Sequence, residues 1–366
     1  MRSVADVVGY LRQFAPLELA ADWDNVGLLL GDRDQPVTRM LTCLTITPEV
    51  VAESVDTSVS MIVSHHPILF KGAKKLSSDT PEGRLLLPLM RAGVAVYSPH
   101  TAFDNAPDGI NTQLATQLGA VDLTPLRLKE GARQSKIVVF VPESDLAPVS
   151  DALFAAGAGQ IGEYRECSFR TAGTGTFFGS AASNPTIGQA GRREEVSEWR
   201  LEAICPEGKI DAAIAAIRAA HSYEEPAFDV YPLRPNRTTG EGRVGRLPKA
   251  TTLQKLAQKV KKELRAGAVQ LIGEPTRPVT RVAVACGAAG EFLTDAIRAK
   301  ADVFLTGEMR FHDYLTAQSA GIGVLVCGHY PTERPAVEAL AIRLAAAFPE
   351  IPVTASQRET DPVHWV

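Results

Sequence analysis

MIVSHHP, residues 61–67, is the stretch that decides the fold. Met61–Ser64 is a short apolar run of the kind that forms a strand buried on both faces, as in parallel sheets. His65 and His66 follow at once, and Pro67 closes the segment. Neighbours in a regular strand point to opposite faces. The two histidines can therefore serve one site only if the chain leaves the strand there. Pro67 favours that exit, because it disfavours helical backbone angles at His66. A pair so placed can offer one imidazole to each of two metals. It can equally be two histidines satisfied by hydrogen bonds at a strand end.

The pattern recurs twice. Val94–Ser98 runs into SPHTAFDN, with His100 and Asp104, and Val324–Cys327 runs into CGHYPTE, with His329 and Glu333. In open α/β sheets, ligand sites form beyond the carboxyl ends of strands. Three such ends bearing imidazole and carboxylate predict one convergent site, although they lie far apart in the chain. A helix is expected to open at Pro331, with His329 and Glu333 bracketing its first turn so that their side chains converge. Glu333 alone could merely stabilise that helix N-terminus. Asp108 has a simple role as N-cap of a helix starting near Ile110. Asp104 has none, and reads as a ligand, bridging if two metals are present. His100 reads as a support for a ligand or a substrate.

Residues 1–120 alternate helical and strand patterns, which predicts an α/β domain with a mainly parallel sheet. The alternation resumes near Arg243 and ends in an amphipathic helix, Thr332–Phe348. The middle differs. It holds a β-α-β-…-β-α-β order with a Gly-, Ser- and Thr-rich stretch, which predicts a ferredoxin-like α+β module. The division expected is a core first half at 1–125, an insert at 126–243 and a core second half at 244–366. Three domains in series is the alternative, but it would strand His329 and Glu333 away from His65 and His66.

The 366 residues are 45% apolar and 22% charged, with net charge −4. The composition is that of a globular protein, and no basic surface argues for nucleic acid. The five cysteines show no paired spacing and read as reduced thiols. No stretch resembles a signal peptide or a membrane span, so the cytoplasm is expected. Three imidazoles and two carboxylates suit two open metal shells and leave surplus positive charge for an anionic group such as phosphate. Paired metals activate water and clamp the oxygens of a displacement. Nitrogen and oxygen ligands suit Zn, Fe, Mn, Co or Ni equally.

DWDNVGLLLGD (22–32), VSHHP, HTAFDN, TGEMRFHD (306–313) and GHYPTE, in this order, resemble the NIF-three-like family. Its bacterial members are labelled GTP cyclohydrolase type 2 homologues. The resemblance implies two divalent metal ions per chain on His65, His66, Asp104, His329 and Glu333, and a toroidal homohexamer with metals facing an inner cavity. It suggests that Asp22, Asp24 and Asn25 line that cavity. Glu308, Arg310 and His312 follow a strand end and could also reach it, Arg310 to hold phosphate or to pair with Glu308. HSYEEPAFDVYPL (221–233) is similar to the insert of longer members, itself like PII and CutA proteins, and makes His221 a candidate further ligand. The catalytic residues are not identified by this reading. Two functions follow. One is a metal-dependent hydrolase of a nucleotide or phosphoester. The other is a non-catalytic metal-binding regulator or metal chaperone.

Overall fold

The computed structural model describes residues 2–129, 133–162, 164–234 and 239–365. The chain forms two compact units, one of Met1–Lys129 with Arg237–Val366 and one of Glu130–Asn236. The strands, in chain order, are β1 (Gly27–Leu30), β2 (Met40–Cys43), β3 (Met61–Ser64), β4 (Ala95–Ser98), β5 (Val121–Leu128), β6 (Gln134–Val141), β7 (Phe169–Phe178), β8 (Arg193–Pro206), β9 (Phe228–Pro232), β10 (Gly240–Thr252), β11 (Gln270–Ile272), β12 (Pro278–Ala285), β13 (Val303–Thr306), β14 (Gly323–Val326) and β15 (Val353–Ala355).

The first unit is a mixed α/β fold with two sheets, where the sequence alone predicts one. Their orders are β1-β4-β3-β2-β15 and β11-β14-β13-β12-β10-β5. The pairs β15–β2, β2–β3, β3–β4, β12–β13 and β13–β14 are parallel. β1, β11, β10 and β5 pair antiparallel at the edges. Period-2 burial explains the layering. Met61, Val63, Ala95 and Tyr97 of the first sheet share one core with Val282, Val284, Leu305 and Leu325 of the second. The helices Val4–Phe14 and His329–Ala347 contribute Leu11, Leu340 and Leu344 to that core. The alternate residues face outward. Ile62 and Val96 pack under the helices Pro48–Asp56 and Pro81–Arg91. Ala283, Phe304 and Val324 pack under Leu293–Arg298 and Phe311–Ala320. Strands covered on both faces must be apolar throughout, which is why these runs read so clearly and why they do not reveal which sheet each joins.

The second unit carries a four-stranded antiparallel sheet in the order β7-β8-β6-β9. With the helices Leu146–Ala155 and Ile210–Ala220, the chain order is strand, helix, two strands, helix, strand. That is the split β-α-β arrangement of a ferredoxin-like sandwich. Ile137, Val139, Leu201 and Ala203 face the helices and form its core with Val149, Leu153 and Ile217.

Candidate metal centre

Three strand ends of the first unit deliver the cluster. β3 ends at Ser64, and the next two residues still bond to the neighbouring strand's exit, His65 N–H donating to Cys43 O and His66 N–H to Leu44 O. The strand is then broken, so the rings of His65 and His66 sit 5.1 Å apart on one side. Asp104 stands on a short helix after β4, His100–Asn105. After β14, Gly328 adopts φ +95° and swings the chain into the helix His329–Ala347. That helix begins two residues before the expected start at Pro331. A proline in the first turn removes an N–H that would have no intrahelical partner, so Pro331 fits inside. Asp108 does not cap the helix at Ile110, since Gly109 holds that position without a side-chain bond. Asp108 instead pairs with Arg343 at 3.4 Å.

Glu333 is the hub. Its Oε2 lies 3.1 Å from His66 Nε2, 3.1 Å from His329 Nε2 and 3.8 Å from His65 Nε2. His65 Nε2 also lies 3.5 Å from Asp104 Oδ1. The groups His65–Asp104–Glu333 and His66–His329–Glu333 each bring their ligand atoms within 4.8 Å of one another. Glu333, rather than Asp104, is the member both share. A third group, His65–His66–His100, has the same compactness.

The burial of these groups fits a cation. His65 is fully enclosed, and neither of its ring nitrogens has a hydrogen-bond partner. Buried polar atoms are nearly always paired, and an unpaired imidazole among carboxylates is what a metal ligand looks like without its ion. Burial pushes the His65 pKa well below the usual value, which keeps the ring neutral, the form that ligates. Burial pushes Asp104 upward, and the Glu333 charge adds to that. Burial opposes ionisation of Glu333 too, but bonds from His329 and His66 outweigh it and hold that carboxylate low. A donor set of three imidazoles and two carboxylates suits a divalent transition metal.

Neighbouring groups aim these side chains. Thr45 Oγ1 lies 2.7 Å from His66 Nδ1, which turns Nε2 toward Glu333. Glu308 Oε1 lies 3.1 Å from His329 Nδ1. Asp24 Oδ1 lies 2.7 Å from His100 Nδ1, and Asp24 Oδ2 accepts from the Thr101 amide at 3.1 Å. Burial raises the Asp24 carboxyl, but the His100 and Thr101 bonds outweigh it and hold it low. His100 itself has φ +33°, a conformation that costs energy outside glycine and that clusters at functional sites. Asn25 ties down the loop after the histidines, its Nδ2 donating to Leu69 O at 2.6 Å. Asp22, Arg310 and His312 lie on the exposed surface. Glu308 turns to His329 and not to Arg310. His221 belongs to the second unit, where Nε2 bonds Phe140 O at 2.9 Å and Nδ1 accepts from the Tyr223 amide at 3.1 Å. Both nitrogens are used there by the backbone.

Four residues escape sequence reasoning. Cys286 Sγ lies 3.2 Å from Asp104 Oδ1, and burial with the adjacent carboxylates holds its thiol protonated. Asn111 bonds the Asp104 carbonyl and accepts from the Cys286 amide. Arg243, buried, donates to the carbonyls of Asn105, Ala106, Gly240 and Gly242, fixing the end of the Asp104 helix. Gly287 stands against Glu333. Cys286 and Gly287 directly follow β12, a further parallel strand, so the strand-end rule marks them as well.

Two cavities of about 470 Å³ and about 500 Å³ reach the cluster and share Thr45, His66 and His329 in their linings. Trp23 and Phe70 stack at 6.5 Å on the rim of the first, both largely exposed, and both meet the His100 ring edge-on. Among the described residues, no helix is long and apolar enough to cross a membrane.

The chain is similar to proteins of several bacteria. A Mycobacterium tuberculosis protein called GTP cyclohydrolase 1 type 2 homolog is 36% identical over 357 residues, 94% of this chain and 93% of that protein. One of the same name from Halalkalibacterium halodurans is 35% identical over 324 residues, 88% and 87% of the two chains. The crystal structure of a Bacillus cereus protein related to NIF3 superposes with a TM-score of 0.76 at 32% identity, over 100% of this chain and 99% of that one. The family model described as Duf34/NIF3 (NGG1p interacting factor 3) matches residues 2–362, and the chain belongs to that family.

Proposed function

We propose that this protein is a hydrolase of a nucleotide or another phosphoester, using two divalent transition-metal ions held by His65, His66, Asp104, His329 and Glu333. The observation that carries this reading is the enclosed, unpartnered imidazole of His65, which belongs to one of two groups of candidate ligands that share Glu333. When bound, such metals lower the pKa of water and polarise the oxygens of a phosphoester or a ring carbonyl.

The chain's own residues have distinct tasks. Asp24 holds the His100 proton on Nδ1, leaving a lone pair on Nε2. His100 takes the proton of the attacking water there as the new bond to phosphorus or ring carbon forms and the leaving group departs. The Trp23–Phe70 wall receives a planar ring, which favours a nucleotide over a simple phosphate ester. The relatives' name makes GTP the first substrate to test. The toroidal homohexamer is proposed from the family resemblance, and light scattering showing a monomer would contradict it.

The test is turnover of GTP, other nucleotides and simple phosphoesters after reloading with Zn, Fe, Mn, Co or Ni. Metal-dependent turnover that disappears in His100→Ala supports the reading, and none with any metal refutes it. In that event the metal-binding regulator or chaperone takes its place. The second unit, a separate compact body with a cavity of its own, favours that alternative.

A further inference from the structure

The sheet of the second unit has one face without helices, and that face is not bare. Phe140 and Arg200 are opposite one another in register, as are Glu198 and Gly173 of the neighbouring pair. These positions alternate with Val139 and Leu201, which enter the core. β7 presents two glycines here. A β-carbon on Gly175 would lie 2.0 Å from Glu198 Oε2, so only glycine lets that carboxylate lie across the strand. A β-carbon on Gly173 would meet nothing within 4 Å, so open space stands directly beside Glu198.

The segment after β7 folds back over this space and is pinned. Gly191 N–H donates to Gly179 O at 2.7 Å, the Asn184 amide donates to Glu224 Oε1 at 3.0 Å, and Thr186 Oγ1 donates to Ser222 O at 2.8 Å. His221, locked by its two backbone bonds, sets the course of the wall that bears Tyr223. The result is a cavity of about 580 Å³ walled by Phe140, Phe177 and Tyr223. The Tyr223 hydroxyl is buried there and has no hydrogen-bond partner. Burial, the nearby Glu198 charge and the approach of that carboxylate to the hydroxyl raise its pKa, so it remains a proton donor. A cavity of several hundred Å³ with aromatic walls and a few convergent polar groups is the usual form of a small-molecule site.

We propose that this cavity binds a planar heterocycle presenting an N–H donor beside a ring-nitrogen or carbonyl acceptor, the N–H to Glu198 and the acceptor to the Tyr223 hydroxyl. The unpartnered hydroxyl beside a carboxylate calls for that adjacent donor–acceptor edge. The aromatic walls call for a flat ring, and Gly173 leaves room for it. Arg200 is already engaged by Glu202 at 2.7 Å, so the site makes no demand for a phosphate.

Calorimetric titration of the full chain with adenosine, guanosine and uridine tests this, since each carries such an edge. At least one should bind with Kd below about 1 mM. Tyr223→Phe, which deletes only the hydroxyl, should weaken that binding about fivefold, and Glu198→Ala should weaken it further. His66→Ala with His329→Ala should leave it unchanged, which separates this site from the candidate metal centre. If Glu198→Ala does not fold, Tyr223→Phe alone decides. Absence of binding by all three, binding indifferent to Tyr223→Phe, or binding lost in the histidine double variant would each overturn the proposal.

Discussion

A β-carbon placed on Gly287 would lie 2.3 Å from Oε1 of Glu333, so the carboxylate shared by both candidate ligand groups can stand where it does only because residue 287 is glycine. The same carbon would lie 3.2 Å from His329 Nε2, and Gly287 has φ +64°. Gly287→Ala should therefore strain the backbone by about 1 kcal/mol and displace Glu333 as well. A modest loss in Tm with a large loss of bound metal is expected. Metal content equal to wild type would contradict it.

Without metal, the cluster should leave a signature in the pH dependence of stability. Burial disfavours charged His329, but Glu333 and Glu308 outweigh it and hold its pKa up at about 9. A folded pKa above the unfolded value near 6.5 gives stability that is complete below about pH 6.5 and is lost as pH rises to about 9. The Tm of metal-free protein should fall across that window, and Glu333→Gln should flatten the fall. Metal uptake at pH 7 should release protons, since His329 must lose its own to ligate. A flat profile between pH 6.5 and 9 would be inconsistent with this pairing.

Arg243 is buried with five hydrogen bonds to Thr112 Oγ1 and four carbonyls. Its charge is met by carbonyl dipoles at the end of the helix that carries Asp104. Arg243→Met should leave those carbonyls unpaired and cost about 2–4 kcal/mol in a denaturant melt. Metal affinity should fall with it. A loss under about 0.5 kcal/mol would show that water replaces the guanidinium.

Asp24→Asn tests the proposed proton acceptor. It keeps the shape but offers His100 no anion, so the tautomer is no longer fixed. Turnover should fall about 100-fold while metal content stays near wild type. An equal fall in both would place Asp24 in holding the cluster together and not in proton transfer.

Much of this arrangement can be read from sequence, for a physical reason. Strands buried on both faces must be apolar, so His65, His66, Asp104, His329 and Glu333 stand out at their ends, and the structure brings all five side chains into one cluster. What escapes is what depends on distant contacts. The second sheet cannot be told from the first, because Val63 and Val284 look alike until they meet in one core. Arg243 reads as an ordinary charged residue, and only its burial against the Asp104 helix gives it a role. The orphaned Tyr223 hydroxyl is likewise invisible until the segment 179–191 folds over the sheet. Arg310 and His312 show the opposite limit: they follow Thr306 closely in sequence, yet both lie on the exposed surface and neither belongs to a candidate ligand group among the described residues.

In the proposed site, five side chains hold two metals. Elemental analysis of freshly purified protein, wild type beside Asp104→Ala, tests it most directly. About two equivalents of a transition metal per chain are expected, falling to about one or less in the variant. Less than one equivalent in wild-type protein from metal-replete medium, or no change in Asp104→Ala, would contradict it.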